Sequence, residues 1–195
     1  SEDNGIFLLN TKTKTITSIE AITNKIKSLY FDDNILWIGT NGNGLKSYNT
    51  SDHTIQTYTI DYGLSNNVIY AILPDKNDNL WLSSNKGITK FNPRDPDKKY
   101  IENYTGNSGL QAFEFNTGAY FKSEDGTLFF GGLEGVNWFS PRDLTINEVK
   151  PKTVISSFEI FNKEQDMIPG SRFRHNQNTI TFTFASLHFS EPEKN

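Results

Sequence analysis

Short apolar runs alternate with polar turns along this chain, and the same order recurs three times. The middle copy shows the pattern best. Residues 68–73, VIYAIL, form an apolar run with few charges, which predicts a strand buried on both faces. Residues 74–79, PDKNDN, are dense in turn formers and predict a hairpin. Residues 80–83, LWLS, predict the second strand. A polar turn at 84–86 follows, and Gly87 permits a backbone conformation that a side chain would resist. Residues 88–91, ITKF, alternate apolar and polar as a half-buried strand does. An outer strand is predicted near 100–104.

The first copy predicts four strands, at about 26–31, 35–39, 44–49 and 55–60. Its last strand is polar at alternate positions, which suits an edge. The third copy occupies 119–140. Trp37, Trp81 and Phe129 fall at one position of the repeat, 44 and 48 residues apart. Gly44, Gly87 and Gly135 fall at another, 43 and 48 apart. Upstream, residues 5–10 align with 44–49, and Ile16 follows Asn10 as Ile55 follows Asn49. A period in the forties with several strands per copy marks propeller blades. The expected fold is therefore all-β: a partial β-propeller of about three and a half four-stranded blades. A closed ring of 4–8 blades needs more, so the chain reads as a piece that enters mid-blade.

After Pro141 the pattern changes. Strand-like segments at 154–161 and 179–184 flank a polar loop through 169–170, and 179–184 alternates strictly. The domain reading is 1–145, C-terminal blades of a β-propeller, and 146–195, the beginning of an incomplete β-sandwich. Two strands alone do not make a stable domain.

Composition agrees with strands. Only five alanines occur, whereas Phe, Tyr, Thr and Ile are abundant. The net charge is −4 and no basic face stands out, which argues against nucleic acid as a partner. Lys98 and Lys99 read as solvated loop residues. No run approaches the ~20 apolar residues of a membrane span, and the N-terminus has no signal-peptide pattern. The absence of Cys excludes disulfides and Cys-based metal sites.

The segments joining one blade to the next, 63–67 and 109–116, return the chain along the face that also carries the second-to-third-strand turns. Ligands commonly meet propellers there. Asn66, Asn67, Glu114 and Asn116 are the candidate ligand contacts. Glu114 is the acid on these segments that breaks the repeat, with Asp61 as its loose counterpart one blade earlier. One acid per loop is not the convergent pair that glycoside hydrolysis needs, so no catalytic residue is assigned. Trp37, Trp81 and Phe129 could stack on sugars, but their recurrence at one blade position assigns them to packing between blades. Trp138 lies outside that column and is the better candidate for exposure. His53, His175 and His188 have no ligand spacing. Asp32-Asp33 and 75–78 lack the ordered positions of a calcium loop and read as turns. No cofactor or metal is expected.

The repeats resemble the two-component regulator propeller repeat. Leu36-Trp37-Ile38-Gly39-Thr40 with Gly44-Leu45 matches its motif almost fully, and Leu80-Trp81-Leu82-Ser83 with Gly87-Ile88 more loosely. Residues 109–141 resemble the last blade of such a sensor. Residues 151–195, with Phe184-Ala185-Ser186-Leu187, resemble the start of the β-sandwich named for its three tyrosines (Y_Y_Y); the tyrosine segment itself is absent. Departures are Phe129 in place of Trp and Ser83-Ser84 in place of Gly-Thr.

The resemblance implies the periplasmic sensor region of a hybrid two-component histidine kinase. Such a region would respond to oligosaccharides and pass the signal to a kinase elsewhere in the protein, so this part is not itself an enzyme. The glycan would be bound mainly by blades outside this chain. The membrane would be reached only through a downstream helix. Alternatives are a lyase-type propeller enzyme acting on polysaccharide and a protein-interaction propeller. Open blade edges expose unpaired backbone groups, so the isolated chain is expected to self-associate.

Overall fold

The computed structural model describes residues 5–94, 101–144, 152–166, 168 and 170–187. Lys98, Lys99 and His188, named above, lie outside the described residues, as do positions 100, 145–151, 169 and 189–195 of the segments read above. The chain divides into two compact units, Ser1–Leu144 and Thr145–Asn195.

The first unit is a succession of antiparallel sheets. β1 (Phe7–Leu9) pairs with β2 (Ile16–Ser18). A four-stranded meander follows: β3 (Ile26–Asp32), β4 (Ile35–Thr40), β5 (Leu45–Asn49) and β6 (Ile55–Tyr58). The next meander is β7 (Ala71–Pro74), β8 (Leu80–Ser84), β9 (Gly87–Phe91) and β10 (Ile101–Tyr104). The last sheet holds β11 (Phe115–Lys122), β12 (Leu128–Gly132) and β13 (Gly135–Phe139). Each sheet is a propeller blade whose strands follow chain order. The second unit carries β14 (Lys152–Ile160) between β15 (Lys163–Glu164) and β16 (Ile180–Leu187).

Blades stack through three apolar layers, because alternate residues of a strand face opposite neighbours. Ile38 and Tyr48 face Ile6, Ile19 and Ile22, which flank the strands of the preceding sheet. Trp37, Leu45 and Tyr58 face Ile72, Leu82 and Phe91 of the following one. Ala71, Leu73, Trp81 and Ile88 meet Phe115, Leu128 and Phe130 of the last blade. Trp37 lies 6.0 Å edge-on from Phe91, and Trp81 lies 4.9 Å from Phe139. Both rings bridge adjacent blades.

Phe129 holds the same register as those tryptophans but a different environment. It sits three residues before Gly132, the partner of Gly135, just as Trp81 sits three before Ser84, the partner of Gly87. Its cross-strand neighbours are Phe121 and Trp138, 63% and 69% exposed, and Phe129 itself is half-buried. No further blade covers that face among the described residues.

Two boundaries differ from the periodicity. The apolar run at 68–73 becomes a strand only from Ala71, because Val68 instead forms an isolated bridge to Asn41 and Ile69 N–H donates to Thr40 O. The outer strand of the first copy ends at Tyr58, where a one-turn 3-10 segment, Ile60–Tyr62, begins the return.

Candidate functional site

The return segments are held by their own hydrogen bonds. Gly63 and Gly109 both end 3-10 turns in the left-handed region, with φ of 109° and 85°. These turns set the alignment of the returns, so Asp61 corresponds to Asn107 and not to Glu114. The residue two beyond each of these glycines pins the return to the following sheet. Ser65 Oγ lies 2.9 Å from Thr89 Oγ1, and Gln111 N–H donates to Asn137 Oδ1 at 2.9 Å.

The four candidate residues divide by role. Asn66 Oδ1 accepts from Val68 N–H at 2.8 Å and closes a local turn. Asn67 Oδ1 accepts from Ile60 N–H at 2.9 Å, and its carbonyl accepts from Gly42 and Gly44 N–H at 3.1 and 2.7 Å. Both asparagines are therefore already engaged in shaping the return. Glu114 and Asn116 are exposed. Glu114 lies close enough to Tyr70 for its charge to help raise the phenol, after burial, which is the larger cause. The bonds to Gly42 and Gly44, with Gly87 N–H donating to Phe113 O at 2.7 Å, put the returns and the second-to-third-strand turns on one face.

The opposite end of the blades carries the acidic turns. Asp75 Oδ1 accepts from Asn77 and Asn79 N–H at 2.7 and 3.0 Å. Its Oδ2 accepts from Asn79 Nδ2 and Trp81 Nε1 at 2.8 and 2.9 Å. Burial pushes this carboxyl up, but the bonds from Trp81 and Asn79 and the backbone donors outweigh it and hold Asp75 below its ordinary value of 3.8. A depressed folded value means stability that is complete above the unfolded range and lost as pH falls through the folded value. Asp75→Asn is therefore expected to lower Tm at pH 7, with the gap to the wild type narrowing toward pH 3. Melting curves across that range check it, and a gap that is constant with pH contradicts it.

A pocket of about 330 Å³ lies at this end between the β3–β6 and β7–β10 blades. Asp32, Asp33, Asp75 and Asp78 come to it from the two first-to-second-strand turns, and Arg94 from beyond β9. Arg94 spans both turns, 2.7 Å from Asp78 and 3.7 Å from Asp32. None of the four return-segment candidates lines it. Arg94 went unnoticed in the sequence because it pairs across two blades. His53 Nδ1 lies 2.6 Å from Tyr48 Oη, a structural contact, and His175 is exposed. Among the described residues no group of three or more His, Asp or Glu is placed to hold a metal ion. No helix among them is long and apolar enough to cross a membrane.

Residues 63–86, spanning the first return, β7 and β8, match the two-component regulator propeller family. The fold is similar to that of crystal structures of extracellular domains from B. thetaiotaomicron. One, assigned to the hybrid two component system BT3049, is 24% identical with a TM-score of 0.71, over 93% of this chain and 26% of that one. Another, assigned to the hybrid two component system BT4673, is 23% identical with a TM-score of 0.57, over 80% of this chain and 24% of that one. Histidine kinase P4 of Formosa agariphila is 34% identical over 101 residues, 52% of this chain and 7% of that protein. The chain thus spans about a quarter of the solved domains and a small part of the kinase.

Proposed function

We propose that this chain is part of the periplasmic sensor region of a hybrid two-component regulator that detects oligosaccharides and signals to a histidine kinase. The observation that carries the reading is the blade array, whose residues 63–86 match the two-component regulator propeller family, followed along the chain by a second β unit. The likeness in fold to extracellular domains of hybrid systems supports it. The second unit is read as the start of the three-tyrosine sandwich. Its role is to pass on a shift between two arrangements of a dimer, which ligand binding biases by preferring one of them. The candidate contacts Asn66, Asn67, Glu114 and Asn116 face the ligand side in this reading, with Glu114 and Asn116 free to contribute side-chain bonds. The part described here performs no catalysis.

The test is autophosphorylation of the whole regulator in membrane vesicles. Its rate is expected to change on adding one class of oligosaccharide to the blade side. A rate indifferent to every glycan, with cleavage of one of them, would favour a lyase; a response to a protein alone would favour an interaction propeller.

Apolar side chains exposed on the first and last sheets of the array also support self-association of this chain: Phe7, Leu9 and Ile16 on the first, Phe121 and Trp138 on the last. Light scattering on the 195-residue chain is expected to give a mass above the monomer that rises with concentration. A monodisperse monomer at high concentration contradicts it.

A further inference from the structure

The last blade has one strand fewer than the two complete ones. β5 pairs with β6 and β9 with β10, but among the described residues nothing pairs with the outer edge of β13. That edge, Gly135–Phe139, carries no charge and no proline, the usual guards of a strand edge that stays open.

Two glycines mark the place of a further strand. A Cβ on Gly44 or Gly87 would run into the carbonyl of Tyr58 or Tyr104 on the outer strand, and both glycines are buried. Gly135 holds the same position with φ of 144°, yet it is exposed and meets no heavy atom within 4 Å among the described residues. The second glycine lies on the return. A Cβ on Gly63 would sit 3.4 Å from Ile101, a side chain of the next blade's outer strand. Its equivalent, Gly109, again meets nothing among the described residues.

The space beside Gly109 is a pocket of about 140 Å³. Between the two complete blades, Trp37, Leu45, Tyr58, Leu64 and Phe91 form the layer against which Ile101 packs. One blade on, the same positions hold Trp81, Ile88, Tyr104, Leu110 and Phe139, and all five line the pocket. The wall repeats without the isoleucine that fills it. Its volume is close to the roughly 150 Å³ of an apolar cavity that takes up a small hydrophobic group.

The complete blades also specify what fits. Their outer strands read Ile-x-x-Tyr, Ile55–Tyr58 and Ile101–Tyr104. Each isoleucine lies opposite the position of Phe139, as Ile55 does to Tyr48 and Ile101 to Phe91. Each tyrosine lies opposite the position of Val136, as Tyr58 does to Leu45 and Tyr104 to Ile88.

We propose that the outer edge of β13 binds an extended, antiparallel peptide strand with an aliphatic residue opposite Phe139 and an aromatic one opposite Val136. The aliphatic side chain enters the pocket beside Gly109, and the carbonyl of the aromatic residue lies against Gly135. Main-chain hydrogen bonds along the edge supply affinity and the pocket supplies specificity, as in other strand-addition sites. None of Asn66, Asn67, Glu114 and Asn116 lines this pocket, and the docking edge does not depend on the glycan-sensing reading.

The experiment is an NMR titration of the 195-residue chain, at fixed concentration, with a synthetic peptide of residues 54–60, TIQTYTI. The peptide is expected to shift the N–H signals of 135–139 saturably and to slow amide exchange there roughly tenfold or more. The same peptide carrying Ile55→Asp is expected to bind roughly tenfold more weakly or worse, the effect of one buried aliphatic side chain. That comparison leaves the protein itself unchanged. Gly135→Ala puts a Cβ where the strand carbonyl must lie and is expected to weaken the unaltered peptide by a similar factor. Equal binding of the two peptides overturns the role of the pocket, and no shift with either overturns the docking edge. Protection of 135–139 that grows with the concentration of the chain alone would make the occupant a second copy and overturn the peptide assignment.

Discussion

Trp81→Ala is expected to destabilise the blade array by about 4 kcal/mol, enough to unfold a marginal domain at ambient temperature. Trp81 is 1% exposed and fills the layer between the β7–β10 blade and the last blade. Its ring stacks 5.6 Å from Tyr104 and lies 4.9 Å from Phe139 of the next blade. Lys90 Nζ lies over the ring at 5.9 Å. Alanine would open a cavity against both blades and remove the donor that completes Asp75. Trp138→Ala provides the control. At 69% exposure it is expected to change stability by no more than about 0.5 kcal/mol. Urea unfolding of both variants, read by circular dichroism, checks the pair. Equal losses would place the tryptophan column outside the core.

Gly87→Ala is expected to cost about 3 kcal/mol through backbone strain and overlap together. Gly87 has φ of 95°, in the region that side chains avoid, and a Cβ there would run into the Tyr104 carbonyl of the neighbouring strand. Gly44 repeats this arrangement one blade earlier, with φ of 76° and the Tyr58 carbonyl in the same place. These glycines let β9 and β5 pair closely with their outer strands immediately after a tight turn. At Gly135 no heavy atom lies within 4 Å of such a Cβ. Gly135→Ala is therefore expected to lose clearly less than Gly87→Ala, although its φ of 144° still carries some strain. Comparing their unfolding midpoints separates overlap from strain. Matching losses would show that the carbonyl contact contributes nothing.

The alignment of repeats carried most of the fold. It located the hairpins of the two complete blades to within a residue or two, because side-chain alternation and turn formers act locally. Assigning Trp37 and Trp81 to packing between blades follows from the same register, and the structure buries both. What local pattern could not supply is which neighbour covers a face. Phe129 shares the column yet is only half-buried, since burial depends on the next blade and not on its own strand. The match of Asp61 with Glu114 failed for a related reason: the returns align through the left-handed Gly63 and Gly109, not through charge. The acidic-turn pocket was hidden in the same way. Asp32-Asp33 and 75–78 do form turns, and only the stacking of two blades brings Arg94, Trp37 and Ser47 to them. One signal was available. The first copy's turn is shorter than the second's, leaving Asp32 within a strand and Trp37 without the carboxylate that Trp81 has.

Calorimetric titration of the regulator's complete extracellular region with a panel of oligosaccharides tests the central claim most directly. The account predicts saturable binding of one glycan class, with that glycan recovered intact after a day. Absence of binding across the panel, or steady turnover of a bound glycan, would contradict it.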